Sequence, residues 1–124
     1  MINNNDLTFM ILGCAYKVHS VLGPGLLEST YEHCLVQELI SKGLNFDRQI
    51  GLPVFYNNKK LEAGYRIDLL IEDTVIIELK SVDQIAPIHK AQLLTYMKLS
   101  GKKIGFLINF NVVSLKDGIV RMVL

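Results

Sequence analysis

Apolar and polar positions recur along this chain with two different periods, and the changes of period divide it into elements. From about Asp6 to Leu22 the apolar residues Ile11, Ala15, Val18 and Leu22 return every three or four positions, which predicts an amphipathic helix ended by Gly23-Pro24-Gly25. A second helix is expected from about Leu26 to Lys42. Leu27, Tyr31, Cys34, Leu35 and Leu39 form its stripe and Gly43 its stop, and the two helices should pack as a hairpin. The period then falls to two. A strand is expected from about Arg48 to Tyr56, a turn at Asn57-Asn58, and a hairpin of two strands between Tyr65 and Ser81. Pro87 suits the first turn of a third helix that runs to about Ser100 and is closed by Gly101. Lys103 to Phe110 reads as a buried strand. The tail reads as a last hairpin, Val112 to Leu115 with Ile119 to Val123, about Lys116-Asp117-Gly118. Helix, helix, three strands, helix and further strands predict an α/β sandwich around one central mixed sheet flanked by helices.

Charge interrupts this pattern in one place. In Thr74-Val-Ile-Ile-Glu-Leu-Lys80, Val75, Ile77 and Leu79 share one strand face, and Ile76, Glu78 and Lys80 share the other. The preceding run divides the same way, with Ile67, Leu69 and Ile71 on one face and Arg66, Asp68 and Leu70 on the other. Register decides whether the acids meet. A two-residue turn at Glu72-Asp73 would keep them apart, whereas a three-residue loop, Glu72 to Thr74, closes Ile71 on Val75 and sets Asp68 against Glu78. The longer loop is the one expected. Opposed side chains then have Cβ atoms about 4.5 to 5.5 Å apart. That is close enough for two carboxylates to share a divalent cation at roughly 2.1 Å from each oxygen. The plainer alternative is that Arg66 and Lys80 neutralise the acids as diagonal surface ion pairs, each worth about 0 to 1 kcal/mol.

Composition limits what surrounds this hairpin. With 124 residues, half of them hydrophobic, the chain fits one compact domain, residues 1–124, with a substantial core. A net charge of +1 gives no global field for a polyanion, so any such contact must come from Lys59-Lys60, Lys102-Lys103, Arg48 or Lys90. The first residues lack a basic leader, and the apolar run Phe9 to Ala15 is too short to span a bilayer, so a cytoplasmic protein with no membrane partner is expected. Cys14 and Cys34 lack a CxxC spacing and read as buried thiols. His19, His33 and His89 lack ligand spacing and read as structural.

Two further features carry candidate chemistry. Gln92 and Tyr96, four apart, fall on one helical stripe with Ile88 and Leu99, and an amide on such a stripe needs a partner or a ligand. Tyr31 falls on the apolar stripe of its own helix, where packing accounts for it as readily as substrate contact.

Asp68, Glu78 and Lys80 on adjacent strands, followed by a helix and a further strand, resemble the core of the PD-(D/E)XK nuclease superfamily. The proline of that motif is absent, since Arg66-Ile67 precedes Asp68. Gly25-Leu-Leu-Glu28-Ser-Thr-Tyr31, after Leu22-Gly-Pro24, resembles the signature of the GxxExxY proteins, and the likeness extends over nearly the whole chain. Gln92-Leu-Leu-Thr-Tyr96 is similar to the QxxxY element of RecB-type members of the superfamily. The resemblance implies a restriction-endonuclease-like fold in which Asp68, Glu78 and Glu28 bind Mg²⁺ or Mn²⁺, and Lys80 positions or activates the attacking water. It implies that Gln92 and Tyr96, with Tyr31 as a further candidate, flank the substrate. The expected function is divalent-metal-dependent hydrolysis of phosphodiester bonds, with DNA as the expected nucleic acid. The alternative is a catalytically silent nuclease-fold module that binds nucleic acid or a protein partner. A homodimer would give so small a chain more surface for a duplex.

Overall fold

The computed structural model describes residues 2–124, with Ala63 described by its backbone alone. Helix α1, Asn4–Leu22, begins with the Asn3 side chain accepting a hydrogen bond from the Asp6 amide. It buries Leu7, Ile11, Cys14, Ala15 and Val18. Helix α2, Glu28–Ser41, packs against it and buries Tyr31, Leu35, Val36 and Leu39. Two residues expected on the α2 stripe lie elsewhere. Leu27 caps the helix and is 73% exposed, and Cys34 is only half-buried, so just Cys14 is a buried thiol. Gly25, with φ of 98°, takes the left-handed backbone that carries the chain from α1 into α2.

Five strands follow: β1 (Phe46–Tyr56), β2 (Lys59–Ile71), β3 (Val75–Lys80), β4 (Ile104–Asn109) and β5 (Ile119–Val123). They form one mixed sheet in the order β1-β2-β3-β4-β5, with β3 and β4 parallel and every other pair antiparallel. Helix α3, Pro87–Ser100, is the crossover between the parallel strands. Helices α1 and α2 cover one face with Leu69, Ile71, Val75, Ile77 and Leu79; α3 covers the other with Leu70, Ile76 and Leu107. This is the α/β sandwich expected.

Three departures from the sequence reading matter. Strand β2 starts at Lys59, so β1 and β2 form a long hairpin about Asn57 and Asn58, both with positive φ. The expected hairpin between Val112–Leu115 and Ile119–Val123 is replaced: Leu115–Gly118 is a 3-10 turn, and β5 pairs with β4. That turn hugs the sheet so closely that a Cβ on Gly118 would lie 2.1 Å from the Asn109 carbonyl oxygen. Finally, Ile67 packs with the α3 face although Leu69 and Ile71 belong to the opposite one. The face switch falls at Asp68, opposite Gln49, whose φ of 50° kinks β1.

Candidate active site

The loop Glu72–Thr74 closes Ile71 on Val75, and the ladder continues through Leu70–Ile76 to Leu69–Ile77, which is the register that brings Asp68 level with Glu78. There the backbone pairing stops and carboxylates take over. The Asp68 amide donates to Glu78 Oε2 at 2.8 Å, and the Leu79 amide donates to Asp68 Oδ2 at 2.8 Å. Each acid thus holds the main chain of the other's strand, as a ladder carbonyl would. Replacing carbonyls by side chains opens the two strands just where the acids lie.

Neither Arg66 nor Lys80 forms an ion pair with these acids among the described residues. Arg66 donates instead to the Gln49 carbonyl at 3.5 Å. The surface-neutralisation alternative therefore does not describe this hairpin. Glu78 is 5% exposed, and burial together with the Asp68 charge pushes its carboxyl up from 4.5 to about 8. Burial also raises Asp68, with Glu32 adding to the shift and the Leu79 amide opposing it. The Lys80 ammonium, half-buried at the end of β3, favours the charged form of both acids. The pair is held in a state of suppressed charge.

A cleft of about 270 Å³ lies on the α2 side of the pair, lined by Glu28, Ser29, Glu32, Gln49, Asp68 and Leu79. Glu28 is exposed at the start of α2 and accepts a hydrogen bond from the Ser81 amide at 3.2 Å. The Ser81 hydroxyl donates to the Leu26 carbonyl at 2.6 Å, tying the end of β3 to the entry of α2. Asn109 supports the same loop by accepting from the Val82 amide and donating to its carbonyl.

Sequence reasoning missed Glu32, Arg48 and Gln49 as members of the site. Glu32 is buried, pairs with Arg48 at 2.8 Å and accepts from Gln49 Nε2 at 2.8 Å. The same Gln49 nitrogen reaches Asp68 Oδ1 at 3.4 Å, so one amide links the α2 acid to the β2 acid. A signal existed: Glu32 follows Glu28 by four residues and so shares its side of α2. Arg48 is committed to this network rather than free for a polyanion, as is Lys102, which pairs with Asp73 at 2.9 Å.

The remaining candidates divide. Tyr31 is fully buried, stacks on Phe110 at 4.5 Å, donates to the Gly23 carbonyl at 2.6 Å and accepts from the Leu26 amide at 3.2 Å. Its side chain shapes the α1–α2 loop and does not line the cleft, which leaves no face for substrate contact. Gln92 and Tyr96 lie on α3, and of the stripe drawn through them only Tyr96 is buried. Helix α3 buries Leu93, Tyr96 and Met97, while Ile88 and Leu99 are exposed. The histidines have structural partners: His19 Nε2 contacts the Val112 carbonyl at 2.7 Å, and His89 Nδ1 accepts from the Ala86 amide at 2.9 Å.

A family model described as the PD-(D/E)XK nuclease superfamily matches residues 5–122. The chain belongs to the PD-(D/E)XK nuclease superfamily. Searches of curated proteins and of solved structures each found no match. Nucleases of this superfamily generally use divalent metal ions, and the donor chemistry here fits such an ion. Asp68 and Glu78 supply hard oxygens side by side, and each has a second oxygen not held by a backbone amide. Mg²⁺ keeps several waters, so a few carboxylates suffice. Among the described residues no group of three or more His, Cys, Asp or Glu side chains is placed to hold a metal ion, so the fit rests on the Asp68–Glu78 pair. No helix among them is long and apolar enough to cross a membrane.

Proposed function

We propose that this chain is a Mg²⁺- or Mn²⁺-dependent nuclease that hydrolyses phosphodiester bonds in DNA. The observation that carries the reading is the exchange of carboxylate-to-amide hydrogen bonds between Asp68 and Glu78 at the point where β2 and β3 separate. It keeps two acids side by side on rigid strands although burial and mutual repulsion disfavour their charge. Bound divalent cation would stabilise charge growing on the phosphate and on the leaving oxygen and lower the pKa of attacking water. Asp68 and Glu78 would hold it, with Glu28 as a further ligand from α2. Glu32 is poised to orient Asp68 through Gln49. Lys80, at the end of the strand that carries Glu78, is suited to hold the attacking water or a phosphate oxygen, since an ammonium donates up to three hydrogen bonds. Two of these chains as a homodimer would offer a duplex a longer surface than one.

A silent module that binds nucleic acid or a protein partner is the second reading. It is favoured by one observation: each acid already has a structural partner, so the pair could persist as a fold feature alone. Cleavage assays separate the two. The purified chain is incubated with Mg²⁺ or Mn²⁺ and with single-stranded, duplex and branched DNA and RNA, beside Asp68→Asn. A nuclease loses cleavage in the variant and keeps binding; no divalent-dependent cleavage of any substrate would leave the module reading.

A further inference from the structure

Strand β2 runs from Lys59 to Ile71, but the β3 ladder reaches only Leu69, Leu70 and Ile71. The part of β2 before Asp68 therefore continues past the acid pair with β1 as its partner, and the Tyr56–Lys59 pair closes the tip about Asn57 and Asn58. We propose that this two-stranded arm enters a groove of duplex DNA and holds the duplex against the acids. The proposal goes beyond the nuclease reading by naming an interaction surface and the form of nucleic acid, and it rests on that reading only for the cut that follows.

The base of the arm is packed and its tip is not. Leu52 and Ile67 are buried against α3. A register shift between the Leu52–Tyr65 and Val54–Leu61 pairs, with Gly64 at φ 79°, bends and twists the ribbon beyond them. Past that point Phe55 is 67% exposed and Tyr56 65%, and Lys59, Lys60 and Leu61 are exposed as well. Phe55 is opposite Lys60 and Tyr56 is opposite Lys59. Because successive side chains alternate, each face of the tip carries one aromatic ring and one lysine. Bare rings beside cations on a projecting ribbon mark a contact surface.

Charge selects the occupant. From Leu52 to Arg66 the arm carries Lys59, Lys60 and Arg66 against the single acid Glu62, although the whole chain has a net charge of only +1. Glu62 approaches Lys60 at 3.8 Å, but both side chains are well exposed, and such a pair leaves the ammonium accessible. Lysines at the tip oppose pairing of its free strand edges with a second copy, whose own lysines they would meet, and they complement a polyanion. Shape selects the duplex. A two-stranded ribbon fits the major groove of B-form DNA, about 12 Å wide, and a lysine on each face can reach the phosphate backbones that wall it. A single strand calls for a groove that tracks its backbone, and the deep, narrow major groove of an RNA duplex would not admit the ribbon. Lys59 precedes Asp68 by nine residues, at most about 30 Å of strand, so the held groove and the cut phosphate fall within one helical turn of about 34 Å. Arg66, exposed and two residues before Asp68, would meet backbone phosphate between them.

The test uses the full chain carrying Glu78→Gln, in EDTA so that nothing is cut, with a labelled DNA duplex of about twenty base pairs and the RNA duplex and DNA single strand of the same sequence. Affinity is read by fluorescence anisotropy between about 50 and 200 mM salt. The expected result is tightest binding to the DNA duplex. Lys59→Ala with Lys60→Ala should weaken it at least about ten-fold and lower the slope of log affinity against log salt by about 1.8, at about 0.9 for each phosphate contact. Lys59→Arg with Lys60→Arg should restore both. Phe55→Ala with Tyr56→Ala should weaken binding and leave the slope unchanged. All these variants should keep the parent's Tm, because the side chains are exposed. Unchanged affinity and slope in the lysine-to-alanine variant, or equal affinity for the DNA duplex and either other nucleic acid, would overturn the proposal. So would sedimentation showing a dimer that the aromatic variant dissociates without loss of DNA affinity, which would make the arm an interface between copies. Cleavage by the parent chain with Mg²⁺ that survives such a result keeps the nuclease reading without the arm. Lysine-dependent duplex binding with no cleavage of any substrate keeps the arm without the nuclease reading.

Discussion

In the metal-free protein, burial and the neighbouring Asp68 hold the Glu78 proton up to about pH 8, whereas the unfolded chain releases it near its ordinary value of 4.5. Between those values the folded state binds more protons than the unfolded one, so this group makes stability fall as pH rises, with the loss complete above about pH 8. Glu78→Gln keeps an acceptor for the Asp68 amide and removes the charge. Thermal melts in EDTA should therefore show the variant at least about 5 °C more stable than the parent above pH 8, with the gap closing toward pH 4. Asp68→Ala is a poorer probe, because it also leaves the buried Leu79 amide without its acceptor, at about 1–3 kcal/mol. Tyr31 supplies the contrasting case. Tyr31→Phe keeps the stack on Phe110 and loses both hydroxyl hydrogen bonds in the α1–α2 loop. It should lower stability by about 1–2 kcal/mol, seen as a fall in Tm, and leave nucleic-acid affinity unchanged in a titration.

At the scale of elements, the tight seat of the 3-10 turn on β4 gives the sharpest packing test. Gly118→Ala drives a Cβ into the Asn109 carbonyl, which is backbone and cannot swing aside. The turn must shift, at about 3 kcal/mol or more, measurable as a lower denaturation midpoint. Asn109 braces the Ser81–Val82 loop, so that shift should also loosen the cleft. Why this turn escaped sequence reading is physical. Val112 to Leu115 alternates like a strand, but β4 already offers its free edge to β5, and close backbone approach at Gly118 leaves no trace in periodicity. Helices α1 and α3 were legible because Gly23, Pro87 and Gly101 mark their ends chemically, although the Asn3 cap that starts α1 was not read. The Asp68–Glu78 register was legible because parity and loop length fix it. The face switch at Ile67 was not, since it arises from the Gln49 kink on a strand distant in sequence. Glu32 was hidden for the same reason: its meaning comes from Arg48 and Gln49, sixteen and seventeen residues away.

Over the whole molecule, two helices cover one face of the sheet and one covers the other, and Asp68 of the acid pair lines the cleft on the α2 side. The superfamily match covers residues 5–122, and the residues of the candidate site come from α2, β1, β2 and β3 within it. The role proposed for the Asp68–Glu78 pair is to hold a divalent cation. It is tested most directly by isothermal titration of Mn²⁺ and Mg²⁺ into the parent chain and Glu78→Gln at pH 7 and pH 8.5. Binding to the parent should tighten at the higher pH, as the Glu78 proton no longer competes, and binding to the variant should be at least about ten-fold weaker. Absence of binding to the parent at both pH values, or equal binding by parent and variant, would contradict it.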